Sequence, residues 1–341
     1  MGESHGAVSV GHLVNTFPDN PPFRAAIEMS GSAVALAGSS DPGGQSSEQI
    51  WPRVMAGLNC TNSENAEEEL SCARSASVND ILTFLNSNDI RGTLARPDNV
   101  TALVRPDVAW STHNVAQVPL LIGSTADEAS FWVVSAVADL QAATSNTSGS
   151  DDSVPSIATF LEAEFNLPSA AAATIQELYA PGSSYYSGPN DTFSILTAIL
   201  TDYTFRCTSS FVANLTSSLL EQNVWQYDFT AIAPSTTFAE YPGLGAWHSS
   251  ELGFVFGTYN RSGRAMEVDA RLSRSMQDQF GSFVRDPSGD GPGWAPFPIV
   301  AALGVDDEGE ATTTEVDGTD YAPVCQLFNR LYLQDLPAWQ H

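Results

Sequence analysis

The sequence predicts an α/β fold built on a mostly parallel sheet. Short apolar stretches bounded by turn residues alternate along the chain with longer helical patterns, as expected when each strand is followed by a helix that covers the sheet. The clearest strand is Val118–Thr125 (VPLLIGST), a continuous apolar run typical of a parallel strand buried on both faces. The clearest helix carries Leu272, Met276, Phe280 and Phe283 as one apolar stripe.

The other elements follow from the same patterns. Apolar residues at helical spacing after Ser4 predict an N-terminal helix. We interpret Phe23–Ser32 (FRAAIEMSGS) as a short buried strand that ends in a Ser/Gly turn, and Val224–Phe229 (VWQYDF) as a third strand. The segment at about 136–156 is rich in Ala, Ser, Thr and Asp, so we expect a mobile surface loop there.

The chain length and composition indicate one large globular domain. The 341 residues are 43% hydrophobic, which is ample for a buried core. We expect residues 1–341 to form a single domain with a helical and loop insertion at about 133–222. No apolar run reaches the roughly 18 residues that a membrane-spanning helix needs, so no membrane span is expected.

The charge balance is strongly acidic. The formal net charge is −27, and all 13 basic residues are arginine. Such a surface repels nucleic acid and anionic membranes, so neither is expected as a partner. Steering of cationic substrates is one reading of this charge, but solubility in an acidic or extracellular setting is the reading we favour.

Cysteines and sequons indicate a secreted glycoprotein. Four cysteines at 60, 72, 207 and 325 form no C-x-x-C motif, so no zinc site and no cofactor are expected, and an even count fits two disulfides with three possible pairings. Six N-x-S/T sequons begin at Asn59, Asn99, Asn146, Asn190, Asn214 and Asn260. A secreted protein needs a signal peptide; none is present, so we expect that the true N-terminus is missing.

Three chemistry-bearing groups occur in order along the chain, and the last two each come after a predicted strand. Gly2-Glu3-Ser4-His5-Gly6 fits the G-x-S-x-G nucleophile elbow, whose tight turn requires small residues on either side of the serine. Asp127 and Glu128 follow the second strand, and His248 follows the third. Serine, acid and histidine in this order are typical of a hydrolase triad, in which a base activates the hydroxyl and an acid orients the base.

These motifs together resemble the type-B carboxylesterase family, which includes cholinesterases and fungal extracellular lipases. The resemblance extends over nearly the whole chain and is carried by GESHGA, FRAAIEMSGS, GSTADEAS, GAWHSSELGFVFG and the LNC…LSCAR loop. It implies the C-terminal portion of an α/β-hydrolase fold, with helices on both faces of the sheet and the N-terminal strands missing. It also implies disulfides between Cys60 and Cys72 and between Cys207 and Cys325.

The resemblance assigns roles to the site residues. It implies Ser4 as nucleophile, His248 as base and Glu128, the second carboxylate of the Asp-Glu pair, as acid. His5 stands where the family usually has alanine; its backbone N–H is expected to donate to the oxyanion hole, and its side chain is not expected to act as the base.

Further residues near the triad have two readings each. Glu3 and Glu251 match acids beside the histidine in relatives, and they either favour its imidazolium or form a hydrogen-bonded carboxylate pair beneath the elbow. The aromatic residues Phe131, Trp132 and Trp247 flank the acid and base and line either a substrate pocket or the core. We favour core for Phe131 and pocket for Trp247.

The function these observations predict is hydrolysis of a small-molecule or lipid ester by Ser-His-Glu acyl transfer. The alternatives are a non-catalytic, cholinesterase-like recognition or adhesion protein and a non-functional truncated product. In the family, a large part including a Gly-rich oxyanion loop precedes the elbow, so we expect this chain to be inactive by itself. The motifs do not specify the ester or the oligomeric state.

Overall fold

The structure is a computed structural model. It describes residues 1–34, 47–62, 64–88, 90, 105–135, 157–165, 167–218, 220–241 and 243–332. The predicted surface loop at 136–156 lies outside the described residues, as do the sequons at Asn99 and Asn146. The chain divides into two compact units, one formed by residues 1–35 and 106–341 and the other by residues 36–105.

A six-stranded sheet forms the centre of the larger unit, with its strands in sequential order. The strands are β1 (Gly2–Glu3), β2 (Ala26–Met29), β3 (Leu120–Thr125), β4 (Val224–Phe229), β5 (Ile299–Val305) and β6 (Ala311–Asp317). Strands β1 to β5 pair in parallel, and β6 pairs antiparallel to β5. The predicted α/β class with a mostly parallel sheet is confirmed.

Helices connect and cover these strands. In the larger unit they include α1 (His5–Thr16), Pro106–Ser111, Ile157–Phe165, Ser169–Leu178, Thr192–Thr201, Cys207–Ser218, Leu252–Val255, Glu267–Arg285 and Ala322–Tyr332. A π-helical segment, Asp202–Arg206, joins Thr192–Thr201 to Cys207–Ser218. None of the helices in the described part of the chain is long and apolar enough to cross a membrane.

Two apolar cores among the described residues stabilise the larger unit. The helix Glu267–Arg285 buries the predicted stripe of Leu272, Met276, Phe280 and Phe283 against strand residues such as Tyr227. A second core contains buried side chains of the helices between residues 157 and 218 and of the C-terminal helix. Full burial of one such side chain stabilises the fold by about 1.5–3 kcal/mol, so these layers fix the strand ends where the site lies.

In the described part of the smaller unit the helices are Ser47–Gly57, Ala66–Ser75 and Val78–Ser87. Asn65 caps the second helix by accepting hydrogen bonds from the Glu67 and Glu68 amides, and Ser77 caps the third. The expected Cys60–Cys72 disulfide closes a short loop here.

The larger unit contains the second expected disulfide, Cys207–Cys325, whose partners are 118 residues apart in sequence. It ties the helix that follows the π-helical segment to the C-terminal helix. In the chain-entropy account a loop this long is worth about 4–5 kcal/mol of stability.

Candidate active site

The turn between β1 and α1 places Ser4 at the carboxyl end of the first strand. Ser4 has φ 55° and ψ −122°, a conformation that is strained for a residue with a Cβ. Its N–H donates to Met29 O at 2.9 Å, and its carbonyl accepts from the amides of Ala7 and Val8. These bonds hold the strained turn and present the side chain at the edge where the parallel strands end.

The turn needs a glycine before the serine but not after it. A Cβ at Gly2 would lie 2.1 Å from the Gly6 carbonyl oxygen, whereas a Cβ at Gly6 would meet no other described atom within 4 Å. Gly31, beyond β2, is constrained as well, because a Cβ there would lie 2.7 Å from Ser4 O. The sequence motif identified Gly2 and missed Gly31, since that contact crosses between strands.

The turn after β3 positions the two carboxylates differently. Glu128 is fully buried, and its Oε1 accepts from the Thr125 amide at 2.7 Å. Asp127 Oδ2 instead accepts a hydrogen bond from the Ala246 amide at 2.9 Å, and the Asp127 N–H donates to Ala246 O. Asp127 therefore ties the histidine loop to the acid turn, while the other Glu128 oxygen remains available to the imidazole.

His248 lies between two carboxylates. Its Nδ1 is 2.5 Å from Glu128 Oε2, and its Nε2 is 3.3 Å from Glu3 Oε1. Burial by itself lowers the pKa of His248, but the hydrogen bond and charge of Glu128 and the charge of Glu3 outweigh it, so the pKa is raised above 6.5. The imidazolium form is thus favoured by both neighbours.

The structure brings Glu128 and His248 into contact. Among the described residues, no hydrogen bond joins Ser4 Oγ to His248, and Nε2 lies 3.3 Å from Glu3 Oε1. Catalytic hydrogen bonds are often long or misaligned before substrate binds. The arrangement can orient and charge an imidazole beside a serine at a strand end.

Glu251 lies beneath this site as a fully buried acid. Ser30 Oγ donates to Glu251 Oε1 at 3.3 Å, and Oε2 has no hydrogen-bond partner within the described residues. Burial, with the charge of Glu128 as the next cause, raises the pKa of Glu251 well above its ordinary value, which favours the neutral acid. No hydrogen bond between the described Glu3 and Glu251 side chains occurs, so Glu3 is the acid that reaches His248 directly.

Two aromatic rings cover the imidazole. The ring centroid of Trp132 is 4.9 Å from that of His248, and the centroid of Phe205 is 5.1 Å away. The two rings stack on each other at 5.9 Å with an interplanar angle of 9°. Phe205 was not identified from the sequence, because no motif marks it and only the chain path brings it here.

The other two aromatic candidates lie elsewhere. Phe131 is 57% exposed, so the expectation that it belongs to the core is wrong; its neighbour Trp132 turns towards the imidazole instead. The indole N–H of Trp247 donates to Thr236 O at 2.8 Å, and its ring contacts Phe238. Trp247 lines a cavity of about 260 Å³ with Phe238 and Arg264. His5 begins α1 with an exposed side chain.

The π-helical segment Asp202–Arg206 holds Phe205 and the acid turn together. Its Asp202 pairs with Arg206 and accepts from Tyr179 OH at 2.6 Å and Tyr185 OH at 2.7 Å. Arg206 also donates to Asp228 at 3.2 Å and to Ala126 O at 3.4 Å, two residues before Glu128.

A second tie joins the same two elements. The Ala129 amide donates at 3.2 Å to the hydroxyl of Thr201, the residue before the π-helical segment. The bonds at Ala126 and Ala129 thus bracket Glu128. Isolated π-helical turns inside α-helices occur frequently at functional sites.

Comparison with known proteins gives a family match and several relatives. A sequence model described as the carboxylesterase family matches residues 1–311. Lipase 1 of Geotrichum candidum is 27% identical over 286 residues, which cover 75% of this chain and 46% of that protein.

Two shorter matches cover the chain less fully. Lipase 4 of Diutina rugosa is 35% identical over 154 residues, 40% of this chain and 26% of that protein. Secreted lipase 1 of Botryotinia fuckeliana is 31% identical over 149 residues, 39% of this chain and 25% of that protein. In each case the match spans less than half of the relative's own length.

Proposed function

The chain belongs to the carboxylesterase family, and from that membership we propose that it hydrolyses carboxylic esters by acyl transfer through Ser4. The observation that carries the proposal is the 2.5 Å contact between Glu128 and Nδ1 of His248. The strained Ser4 follows β1, which is two strands away from β3, the strand that Glu128 follows. A hydroxyl is a poor nucleophile until an oriented base removes its proton.

The proposed reaction has two acyl-transfer steps. Ser4 Oγ attacks the ester carbonyl and its proton passes to His248 Nε2, while Glu128 holds Nδ1–H and favours the imidazolium. The tetrahedral intermediate collapses as His248 gives that proton to the leaving alcohol. Water then attacks the acyl-serine by the same route, which releases the carboxylic acid and restores Ser4.

The developing oxyanion needs hydrogen-bond donors. The backbone N–H of His5 is at the first position of α1 and has no acceptor within the helix. The positive end of the helix dipole adds to its effect. We assign His5 N–H as one oxyanion donor; removal of one such donor typically costs about 3–4 kcal/mol of transition-state stabilisation.

The proposed substrate is an ester of a small molecule or lipid, and the proposed location is extracellular. Relatives named lipases, two of them named secreted lipases, support this class. The four described sequon asparagines, Asn59, Asn190, Asn214 and Asn260, are exposed, as N-glycosylation requires. Two disulfides also fit an oxidising compartment.

A fluorophosphonate probe tests the proposal, because it forms a covalent bond only with an activated serine. We expect the label on the peptide that contains Ser4, and no label on Ser4→Ala. Ser9→Ala is the matched control, since Ser9 is exposed on α1 and its hydroxyl donates only to His5 O among the described contacts.

The labelling is performed both on residues 1–341 and on the chain extended by any in-frame upstream coding sequence. We expect labelling and turnover when that sequence is present. Absence of labelling at Ser4 in both forms would overturn the proposal and would favour a non-catalytic recognition protein.

A further inference from the structure

Ser249, directly after His248, has a conformation that serine rarely adopts. Its φ is 71°, in the left-handed region where glycine is unstrained. The turn around it is held by a bond from Ser250 N to Trp247 O at 2.9 Å and one from Leu252 N to Ser249 O at 3.2 Å. A side chain kept in such a conformation at a site is a reason to examine what it contacts.

The hydroxyl of Ser249 contacts Glu3. Ser249 Oγ donates to Glu3 Oε1 at 2.5 Å. That same oxygen lies 3.3 Å from Nε2 of His248, at a distance longer than a good charge-assisted hydrogen bond. Glu3 Oε1 therefore has two potential donors, and the serine holds the closer position.

Nε2 is the nitrogen that the proposed reaction needs. Nδ1 is occupied by Glu128 at 2.5 Å, so a proton from Ser4 can reach only Nε2. If the Glu3 carboxylate closed on Nε2–H, the imidazolium would be stabilised at both nitrogens and the base would be unavailable at neutral pH. Something must keep Glu3 at its present distance.

We propose that Ser249 is a positioning residue that holds the Glu3 carboxylate away from His248 Nε2 and thereby keeps the base available to Ser4. The claim that the base stays available to Ser4 rests on the proposed function. The claim that Ser249 holds Glu3 away from Nε2, and so affects the protonation of His248, does not. At this positive φ glycine would be easier to accommodate, but glycine would lack the hydroxyl that bonds Glu3.

The other acids around His248 each have a hydrogen-bond partner besides the imidazole. Glu128 accepts from the Thr125 amide, and Glu251 accepts from Ser30 Oγ. Asp228 on β4 pairs with Arg206, which also pairs with Asp202. Asp127, which follows β3, accepts from the Ala246 amide. Tyr227 lies nearby with its pKa raised well above its ordinary value by burial. Within the described residues, Glu3 is the acid that Ser249 bonds.

The test is an NMR titration of the histidine side chains in Ser249→Ala and Ser249→Gly. The chain has five histidines, and His248 is assigned by its loss in His248→Asn. We expect the proton affinity of His248 to rise about threefold or more in both variants, because Glu3 is then free to accept from Nε2–H. The measurement needs no turnover.

The two variants separate positioning from stability. Glycine relieves the positive φ and alanine does not, so Ser249→Gly is expected to unfold at a higher temperature than Ser249→Ala while both shift the titration equally. Ser250→Ala is the matched control, since Ser250 is buried and its hydroxyl has no hydrogen-bond partner among the described residues. It should leave the His248 titration unchanged.

A double variant identifies the carboxylate. In a Glu3→Gln background, Ser249→Ala should no longer move the His248 titration. An upward shift that depends on Glu3 supports the proposal even if no ester is hydrolysed. An unchanged or lowered titration in Ser249→Ala and Ser249→Gly overturns it even if ester hydrolysis is demonstrated.

Discussion

The Glu128 carboxylate lies 2.5 Å from Nδ1 of His248, although 120 residues separate them in sequence. The acid is fully buried and its second oxygen is held by the Thr125 amide, so it cannot turn away from the imidazole. A buried, oriented carboxylate of this kind sets the tautomer of its histidine and stabilises the imidazolium that forms during proton transfer.

Glu128→Gln is expected to lower kcat for ester hydrolysis by about 10³–10⁴-fold, because the amide cannot stabilise the imidazolium and permits the wrong tautomer. Steady-state hydrolysis of a p-nitrophenyl ester measures this. Asp127→Asn is the neighbouring control, expected to cost about tenfold or less, since Asp127 bonds the Ala246 amide. A larger loss in Asp127→Asn than in Glu128→Gln would assign the acid to Asp127.

The rate is expected to rise with pH through a His248 pKa above 6.5. The base must be neutral to accept a proton, and Glu128 and Glu3 outweigh burial in raising this pKa. The same raised pKa affects stability. His248 stabilises the fold at pH values below its unfolded pKa, and this contribution is lost as pH rises through its folded pKa. The dependence of kcat/KM on pH from 5 to 9 measures the expected rise in rate. A flat profile between pH 5 and 8 would exclude His248 as the base.

Gly2→Ala and Gly6→Ala are expected to have opposite effects. A Cβ at Gly2 would lie 2.1 Å from the Gly6 carbonyl, so the turn must move and Ser4 with it. Gly6 lies in α1 with space for a Cβ among the described atoms, and alanine in a helix gains about 0.5–1 kcal/mol over glycine. Thermal unfolding and probe labelling measure both. Equal tolerance of the two variants would contradict the steric role of Gly2.

Glu28→Met is expected to stabilise the fold at high pH. Glu28 is fully buried on β2, and neither carboxylate oxygen has a hydrogen-bond partner among the described residues. Burial raises its pKa from 4.5 to about 8, opposed by the N-terminal charge. Between these values the folded state binds more protons than the unfolded state, so stability falls as pH rises.

Urea unfolding at pH 5 and pH 8.5 measures this effect. The gain from Glu28→Met should grow with pH to a few kcal/mol, on the order of 4 at most. Glu177→Met is the control for the substitution itself, because Glu177 is exposed. A pH-independent difference between wild type and Glu28→Met would show that the carboxyl titrates normally.

Trp132→Ala and Phe205→Ala are expected to have a larger effect on ester selectivity than on the contact between Glu128 and the His248 imidazole. Both rings face His248 within about 5 Å, and Trp132 is 46% exposed, so it is available to substrate. Loss of an apolar wall should lower kcat/KM for a butyrate relative to an acetate ester by about tenfold. Phe131→Ala is the comparison, with a smaller expected change. An unaltered ratio in Trp132→Ala would place the ester elsewhere.

The predicted fold class and the long elements were recognisable from sequence because burial imposes a local pattern. The run Val118–Thr125 and the stripe on the helix Glu267–Arg285 both appeared at their predicted places, as β3 and as a buried helix face. The strands β5 and β6 were not predicted. In β5 the burial of residues does not alternate, and β6 is mostly exposed, so neither has a clear period.

The sequence by itself determined which chemical groups are present and which strand end each one follows. Gly2, Ser4, the Asp127–Glu128 pair and His248 could be named because a tight turn and a strand end impose local steric and polar requirements on consecutive residues. The choice of Glu128 within that pair came from the family resemblance. Tertiary structure alone decided that Phe205 covers the imidazole, that Phe131 is exposed and that Ser249 holds Glu3. Those contacts depend on strand register, helix path and side-chain rotamers that join residues far apart in sequence, and no local pattern encodes such distances.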